Sequence, residues 1–365
     1  MSLARIATVL GLSVTTVSRA LGGYQDVAAA TRARVAVEAA RINYAPNRTA
    51  QRLQSGRPGT VGVVLPAAPG QSDDPFFLRM LMAFGAVLER AGLDMIVTSV
   101  RAGPGELEAF QRLIASRRVD GMLIARTRCH DGRIGAMIDG GMPFVTHGRS
   151  LETRPYAWVD IDGEAAFRAA TERLIAFGHR RIGLINADPV YMFARHRRAG
   201  WAAALRTAGL RCGPVREAEP SVENGFLLAR EMLAAPGRPT ALLCATDRLA
   251  AGALHAIDAG GLQAGRDVSI IGYDDLPLAS YTSPPLTSVA QPVEQAAERM
   301  VGMLRQLLAG ASPAGMQAVL PAQLITRSSD GPVHANPNRG TARSGLPRQN
   351  RGASIDVQEP SPKQL

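Results

Sequence analysis

The 365-residue chain is almost without lysine: Lys363 is its one example, so arginine carries nearly all the basic charge behind a formal net charge of +10. Cysteine is scarce as well. Cys129, Cys212 and Cys244 are far apart and odd in number, which argues against a disulfide framework or a CxxC metal site and favours buried thiols in a reducing compartment. Aromatic residues make up 5% of the chain. No apolar run reaches membrane-spanning length, and the start lacks a basic-then-apolar segment with a cleavage site, so no membrane association and a cytoplasmic location are expected. Also missing are a GxSxG elbow, a Walker loop, a GxGxxG after a strand and a pair of histidines at metal-binding spacing. The expectation is a protein that is not an enzyme and has no cofactor and no metal.

What is present is an ordinary globular composition, 46% hydrophobic, in a chain long enough for two or three domains. Charge is unevenly placed. Residues 1–60 hold eight arginines against Asp26 and Glu38, a balance that suits a polyanion such as DNA, the plainer reading being a solvated basic face. Within this segment the pattern predicts three short helices, roughly Leu3–Leu10, Val14–Leu21 and Ala30–Ile42. The stretch Leu12-Ser-Val-Thr-Thr-Val-Ser-Arg-Ala-Leu-Gly-Gly23 is crowded with β-branched residues, yet helical punctuation surrounds it. A glycine-containing turn of three or four residues between short helices is the helix-turn-helix spacing, whose second helix lies in the major groove. In that geometry Val14 and Thr15 face base edges, while Ser13, Thr16, Ser18 and Arg19 are placed for phosphate or base contacts. Val17 and Leu21 must then turn inward. On spacing alone, a small helical bundle that binds protein is the competing reading.

From Thr60 onward apolar strand-like runs alternate with amphipathic helices in two successive sets. The first runs from TVGVVLP (60–66) to MPFVTHG (142–148), and the second from WVDID (158–162) to VSIIGYDD (268–275). Continuous apolar strands separated by helices imply parallel sheets covered on both faces, with a ligand crevice outside the strands' carboxyl ends. Residues 328–365, rich in Pro, Gly, Ser, Asn and Arg, read as a disordered tail without heptads.

The wording LARIATVLGLSVTTVSRALGG, then TRARV, then INYAPNRTAQRLQSGRPGTVGVVLP resembles the LacI/GalR family of bacterial transcriptional repressors, and the likeness continues to about Arg327. Departures are Arg5 at a commonly acidic position, Gly22-Gly23 where Asn-Gly is common, and Gln51 for a frequent Arg. The resemblance implies an α/β protein: an N-terminal helix-turn-helix three-helix DNA-binding domain plus hinge helix, then a two-lobed periplasmic-binding-protein-like core of parallel sheets. The expected boundaries are 1–45 for the DNA-binding domain, 46–59 for hinge helix and linker, 60–327 for the core and 328–365 for the tail. Within the core the N-lobe takes about 60–160 and 291–319, and the C-lobe about 162–289 and 320–327. In the hinge, the resemblance places Leu53 as an apolar wedge between base steps with Ala50 on the same face, and Asn47 and Arg48 at phosphates.

For the core, the resemblance implies an effector cleft lined by Asp73 or Asp74, Phe76, Arg126, His147, Arg149, Arg197, Asp247, Asp274 and Gln291. Carboxylates and a forked guanidinium can each grip vicinal hydroxyls with two hydrogen bonds, while an aromatic covers an apolar ring face. The segments DPFF, RRVDGMLIAR, PFVTHGR, WVDID and LPAQLITRSS are most similar to the α-glucoside operon repressors of the family. The implied protein is a homodimer on palindromic double-stranded operator DNA, controlled by a mono- or disaccharide and regulating carbohydrate uptake or catabolism. A solute-binding protein for sugar transport, or a relative sensing a nucleobase or nucleoside, are the alternatives.

Overall fold

The computed structural model describes residues 3–22, 24, 26–44, 59–67, 74–101 and 104–334. Asn47, Arg48, Ala50, Leu53 and Asp73, and the tail from residue 335, lie outside the described residues.

Three helices form the N-terminal unit: α1 (Leu3–Leu10), α2 (Val14–Leu21) and α3 (Ala29–Arg41). Helix α2 forms although its β-branched side chains disfavour it, because a cap and a core outweigh propensity. Ser13 caps its start by accepting a bond from the Thr16 amide at 3.0 Å. Gly11 takes the left-handed conformation (φ +65°) that the tight turn before it demands. Val17 and Ala20 are buried with Ile6, Ala7, Val27, Val35, Ala39 and Ile42, and Leu21 packs partly buried against them. Val14, Thr15 and Arg19 are left exposed.

The core begins with β1 (Thr60–Ala67), α4 (Pro75–Arg90), β2 (Asp94–Arg101), α5 (Pro104–Ser116), β3 (Gly121–Ile124), α6 (Gly132–Asp139), β4 (Phe144–His147) and β5 (Ala157–Ile161). It continues with α7 (Gly163–Ala176), β6 (Ile182–Ala187), α8 (Met192–Thr207), β7 (Val215–Ala218), α9 (Val222–Ala234), β8 (Ala241–Cys244), α10 (Asp247–Ala259) and β9 (Ser269–Asp274). After a 3₁₀ turn at Pro277–Ser280 come β10 (Thr287–Ala290), α11 (Val293–Leu308), β11 (Gln317–Leu320) and β12 (Gln323–Ile325).

The strands form two six-stranded sheets, in the orders β11-β5-β4-β3-β1-β2 and β12-β10-β9-β8-β6-β7. Among the described residues every strand pairing is parallel except β10 with β12. Strands such as Ile182–Ala187 and Ser269–Asp274 are buried along their whole length, as sheets covered on both faces require. The chain passes between the sheets three times: after β5, between β10 and α11, and between β11 and β12. Helix α11 thus returns to the first lobe, where Val293, Met300, Val301 and Leu304 pack with Phe84, Leu88 and Val145.

The sequence reading needs correction at three places, the first being WVDID, which is grouped with the second set of strands but forms β5 between β4 and β11 of the first sheet. Residues 328–333, assigned to a disordered tail for their polar composition, are docked on the second lobe by hydrogen bonds instead of apolar burial. The Thr287 amide donates to Ser329 Oγ at 2.8 Å, Arg173 Nε to Asp330 Oδ2 at 2.6 Å, and the Val333 amide to the Phe177 carbonyl at 2.9 Å. Short strand β7 (Val-Arg-Glu-Ala) was not anticipated, being only half-buried and carrying two charges.

Candidate functional site

The carboxyl ends of both sheets face one cleft, open to solvent. Strand ends and helix starts deliver its lining: Asp74 and Phe76 open α4, Arg126 follows β3, His147 ends β4 and Asp160 lies near the end of β5. From the other lobe come Phe193, His196 and Arg197 of α8, Thr246 before α10, and Tyr273 and Asp274 of β9; Gln291 sits on a crossover.

Arg197 is the central cation of the cleft. It is buried, its guanidinium carbon stands 3.6 Å from the Tyr273 ring centroid and 4.5 Å from that of Phe193, and Nη1 donates to the Ala245 carbonyl. Its Nε is buried without a hydrogen-bond partner, as is His147 Nε2. Buried donors and acceptors of this kind are costly unless satisfied, so they mark where a polar ligand atom is recognised. Asp274 has a positive φ (110°) and accepts from Gln291 Nε2 at 2.7 Å. Burial pushes its carboxyl well above the ordinary range, with Arg197 opposing. Burial likewise raises Asp74, opposed by Arg126, and lowers His147 and His196, keeping both imidazoles neutral. The Phe76 and His147 rings are tilted at 6.1 Å, an apolar wall beside the polar floor.

Of the residues expected in the cleft, Asp74, Phe76, Arg126, His147, Arg197, Asp274 and Gln291 are brought together. Two are not. Asp247 is fully buried: its carboxylate accepts from the Leu276 amide at 2.7 Å and from Ser288 Oγ at 2.5 Å, bracing the ends of β9 and β10, while neighbouring Thr246 reaches the cleft and caps α10. Arg149 lies behind Asp160, to which its Nε donates at 2.8 Å, over the Trp158 ring and on an adjoining surface groove. Asp160, Phe193, His196, Thr246 and Tyr273 are among the lining residues the sequence reading left out. WVDID gave a strand but no sign of which aspartate points to the cleft, and His196 was masked by the arginines around it.

On the N-terminal unit, α2 presents Val14, Thr15 and Arg19 outward, with Thr16 and Ser18 half-buried. Arg19 is ion-paired with Asp26 and stands over the Tyr24 ring. Among the described residues no helix is long and apolar enough to cross a membrane.

A helix-turn-helix unit on a two-lobed parallel core with a polar cleft is the build of a transcriptional regulator. The comparisons with known proteins make this specific: residues 2–47 match the model for bacterial regulatory proteins of the lacI family, and residues 171–329 match a periplasmic binding protein-like domain. The HTH-type transcriptional regulator RafR of Escherichia coli is 37% identical over 323 residues, 87% of this chain and 95% of that protein. A transcriptional regulator CelR–cellobiose complex superposes with TM-score 0.71 at 29% identity, over 90% of this chain and 99% of that one. The lac repressor dimer bound to operator and the anti-inducer ONPF gives TM-score 0.75 at 29% identity, covering 91% and 99%. This chain belongs to the lacI family of bacterial regulatory proteins.

Proposed function

We propose that this chain is a homodimeric repressor that binds palindromic operator DNA through α2 and the segment around Leu53, and that a mono- or disaccharide bound between the lobes controls its operator affinity. The observation that carries the reading is the cleft's pairing of Arg197, Asp274, Asp74 and neutral His147 with aromatic walls at Phe76 and Phe193, which suits a neutral polyhydroxyl ring. The similar CelR structure holds cellobiose. On this reading the protein acts in the cytoplasm, performs no chemistry on its ligand, and governs genes for carbohydrate uptake or catabolism. A sugar that binds one arrangement of the lobes more tightly shifts the population between DNA-competent and incompetent dimers, and the shift equals its differential affinity.

The test is fluorescence anisotropy of the full chain on its own upstream DNA, titrated with salt and then with cellobiose, maltose, trehalose, sucrose, glucose, galactose and adenine. Tight, salt-sensitive binding altered by one of the sugars is expected. A response to adenine alone would overturn the sugar assignment, and no DNA binding by the folded chain would overturn the repressor reading.

A further inference from the structure

Besides the three covalent crossings, the lobes meet at a seam without a chain connection. The loop after β3 in the first lobe lies against the loop before α8 in the second. Arg128 and Tyr191 form an antiparallel bridge, the Cys129 amide donates to the Val190 carbonyl at 2.8 Å, and the Met192 amide at the start of α8 donates to the Thr127 carbonyl at 3.1 Å. Beside this bridge Arg126 is ion-paired with Glu219, which follows β7, and stands over the Tyr191 ring at 5.2 Å. Tyr191 Oη in turn donates to Glu219 Oε2 at 3.4 Å.

The first-lobe side of this seam is held rigid from behind. Arg133, buried in α6, donates to both Asp131 oxygens at 2.8 and 2.6 Å, to Glu106 Oε1 at 2.9 Å and to the Arg126 carbonyl at 3.0 Å. Arg128 completes the cluster by donating to Glu106 Oε2 at 2.6 Å. Four charges in one satisfied network fix the loop that offers Arg126 with positive φ (54°). The Arg126 and Glu219 side chains retain 14% and 31% exposure, sheltered enough for their attraction to exceed that of a surface pair.

We propose that Arg126–Glu219, with the 127–129/190–192 bridge, is a latch that holds the lobes closed over the cleft, with Glu219 acting as the positioning residue for Arg126. Beside the His196–Asp160 contact at 3.7 Å inside the cleft, closure then draws on one removable charge pair and a few backbone bonds at the seam. The seam carries its own reporter. Cys129 is buried, and its sulfur meets the Pro189 carbonyl at 3.5 Å and Met192 Sδ at 3.8 Å, both in the opposite lobe. Cys244 is buried inside β8 and reports unfolding instead, and exposed Cys212 can be replaced by serine.

The experiment measures iodoacetamide labelling of Cys129 and Cys244, resolved by peptide mass mapping, in the full chain carrying C212S and with no sugar added. E219Q is expected to speed Cys129 labelling about tenfold, the population change that loss of a partly buried pair brings, while Cys244 stays protected. E219D should give an intermediate rate, and the charge swap R126E/E219R should return Cys129 labelling to near the starting rate. An unchanged Cys129 rate in E219Q, equal acceleration of Cys244, or no rescue by the swap would overturn the latch.

Discussion

Arg197 and Tyr273 form the closest cation–aromatic pair among the described residues, 3.6 Å from guanidinium carbon to ring centroid, and it joins α8 to β9 across the floor of the cleft. The planar fork is oriented by stacking and by the Ala245 carbonyl, so Arg197→Lys preserves the charge and loses the geometry. Sugar affinity should fall by about tenfold or more with operator affinity unchanged, as read by anisotropy with and without the responding sugar. Equal sugar affinity in both proteins would remove Arg197 from the ligand.

Thr15 and Arg19 stand on the exposed face of α2. Thr15→Ala should weaken operator binding by about 1–3 kcal/mol and relax specificity at the base it reads. Arg19→Ala should weaken binding to all sequences and lower the salt slope by about one unit. Sugar binding, measured by calorimetry, should be the same in both; its loss would place the damage in the lobes.

Leu53 tests the wedge assignment. Leu53→Ser should abolish DNA bending and much of the specificity, seen by energy transfer between dyes at the ends of an operator fragment. The same bend angle with the variant would discard the assignment.

Asp247 ties stability to pH. Burial raises its folded pKa to about 7, above an ordinary carboxyl, so folding favours the protonated form. That stability is fully present below the ordinary carboxyl range and is lost as pH rises through about 7. Asp247→Asn has nothing to ionise. Denaturant melts from about pH 5 to about pH 8 should show the parent losing stability relative to the variant, on the order of 2 kcal/mol. Parallel pH dependences would show that another group is responsible.

Gly200 marks the closest approach of α7 and α8. A Cβ there would lie 2.0 Å from the Glu164 carbonyl oxygen, so the helices must separate. Gly200→Ala should cost about 1–3 kcal/mol in a denaturant melt and weaken sugar binding by displacing Arg197 one turn away. Full stability together with unchanged affinity would contradict the packing.

The sequence rendered the large regular elements well, because long apolar strands and amphipathic helices carry their period openly. Helix α2 was legible through its turn despite its β-branched residues: of Val17 and Leu21, read as turning inward, Val17 is buried and Leu21 partly so, while the second fully buried position is Ala20. Side-chain destinations were harder to read. Asp247 and Thr246 are adjacent at a helix start, and which one enters the cleft depends on Ser288 and the Leu276 amide, far away in sequence. Asp160 was passed over although alternation along β5 limited the choice, because both faces of that strand are covered. The 328–333 segment has no apolar signature, and its docking rests on hydrogen bonds that composition does not reveal.

The interleaving of the lobes also dictates an order of birth. As the chain leaves the ribosome, β1–β5 emerge first, yet the first lobe lacks Val293, Met300, Val301 and Leu304 of α11 against one face of its sheet and lacks β11 at its edge until residue 320 has been made. The second lobe is begun inside that interval and waits in turn for β12 and the 328–333 strap. The first lobe is a finished folding unit only after most of the second has been made, and the second closes a few residues later. A nascent chain stalled before α11 therefore exposes an uncovered apolar sheet face, the kind of surface that chaperones hold, and the two lobes reach their final packing within a few residues of each other, as 317–333 are made.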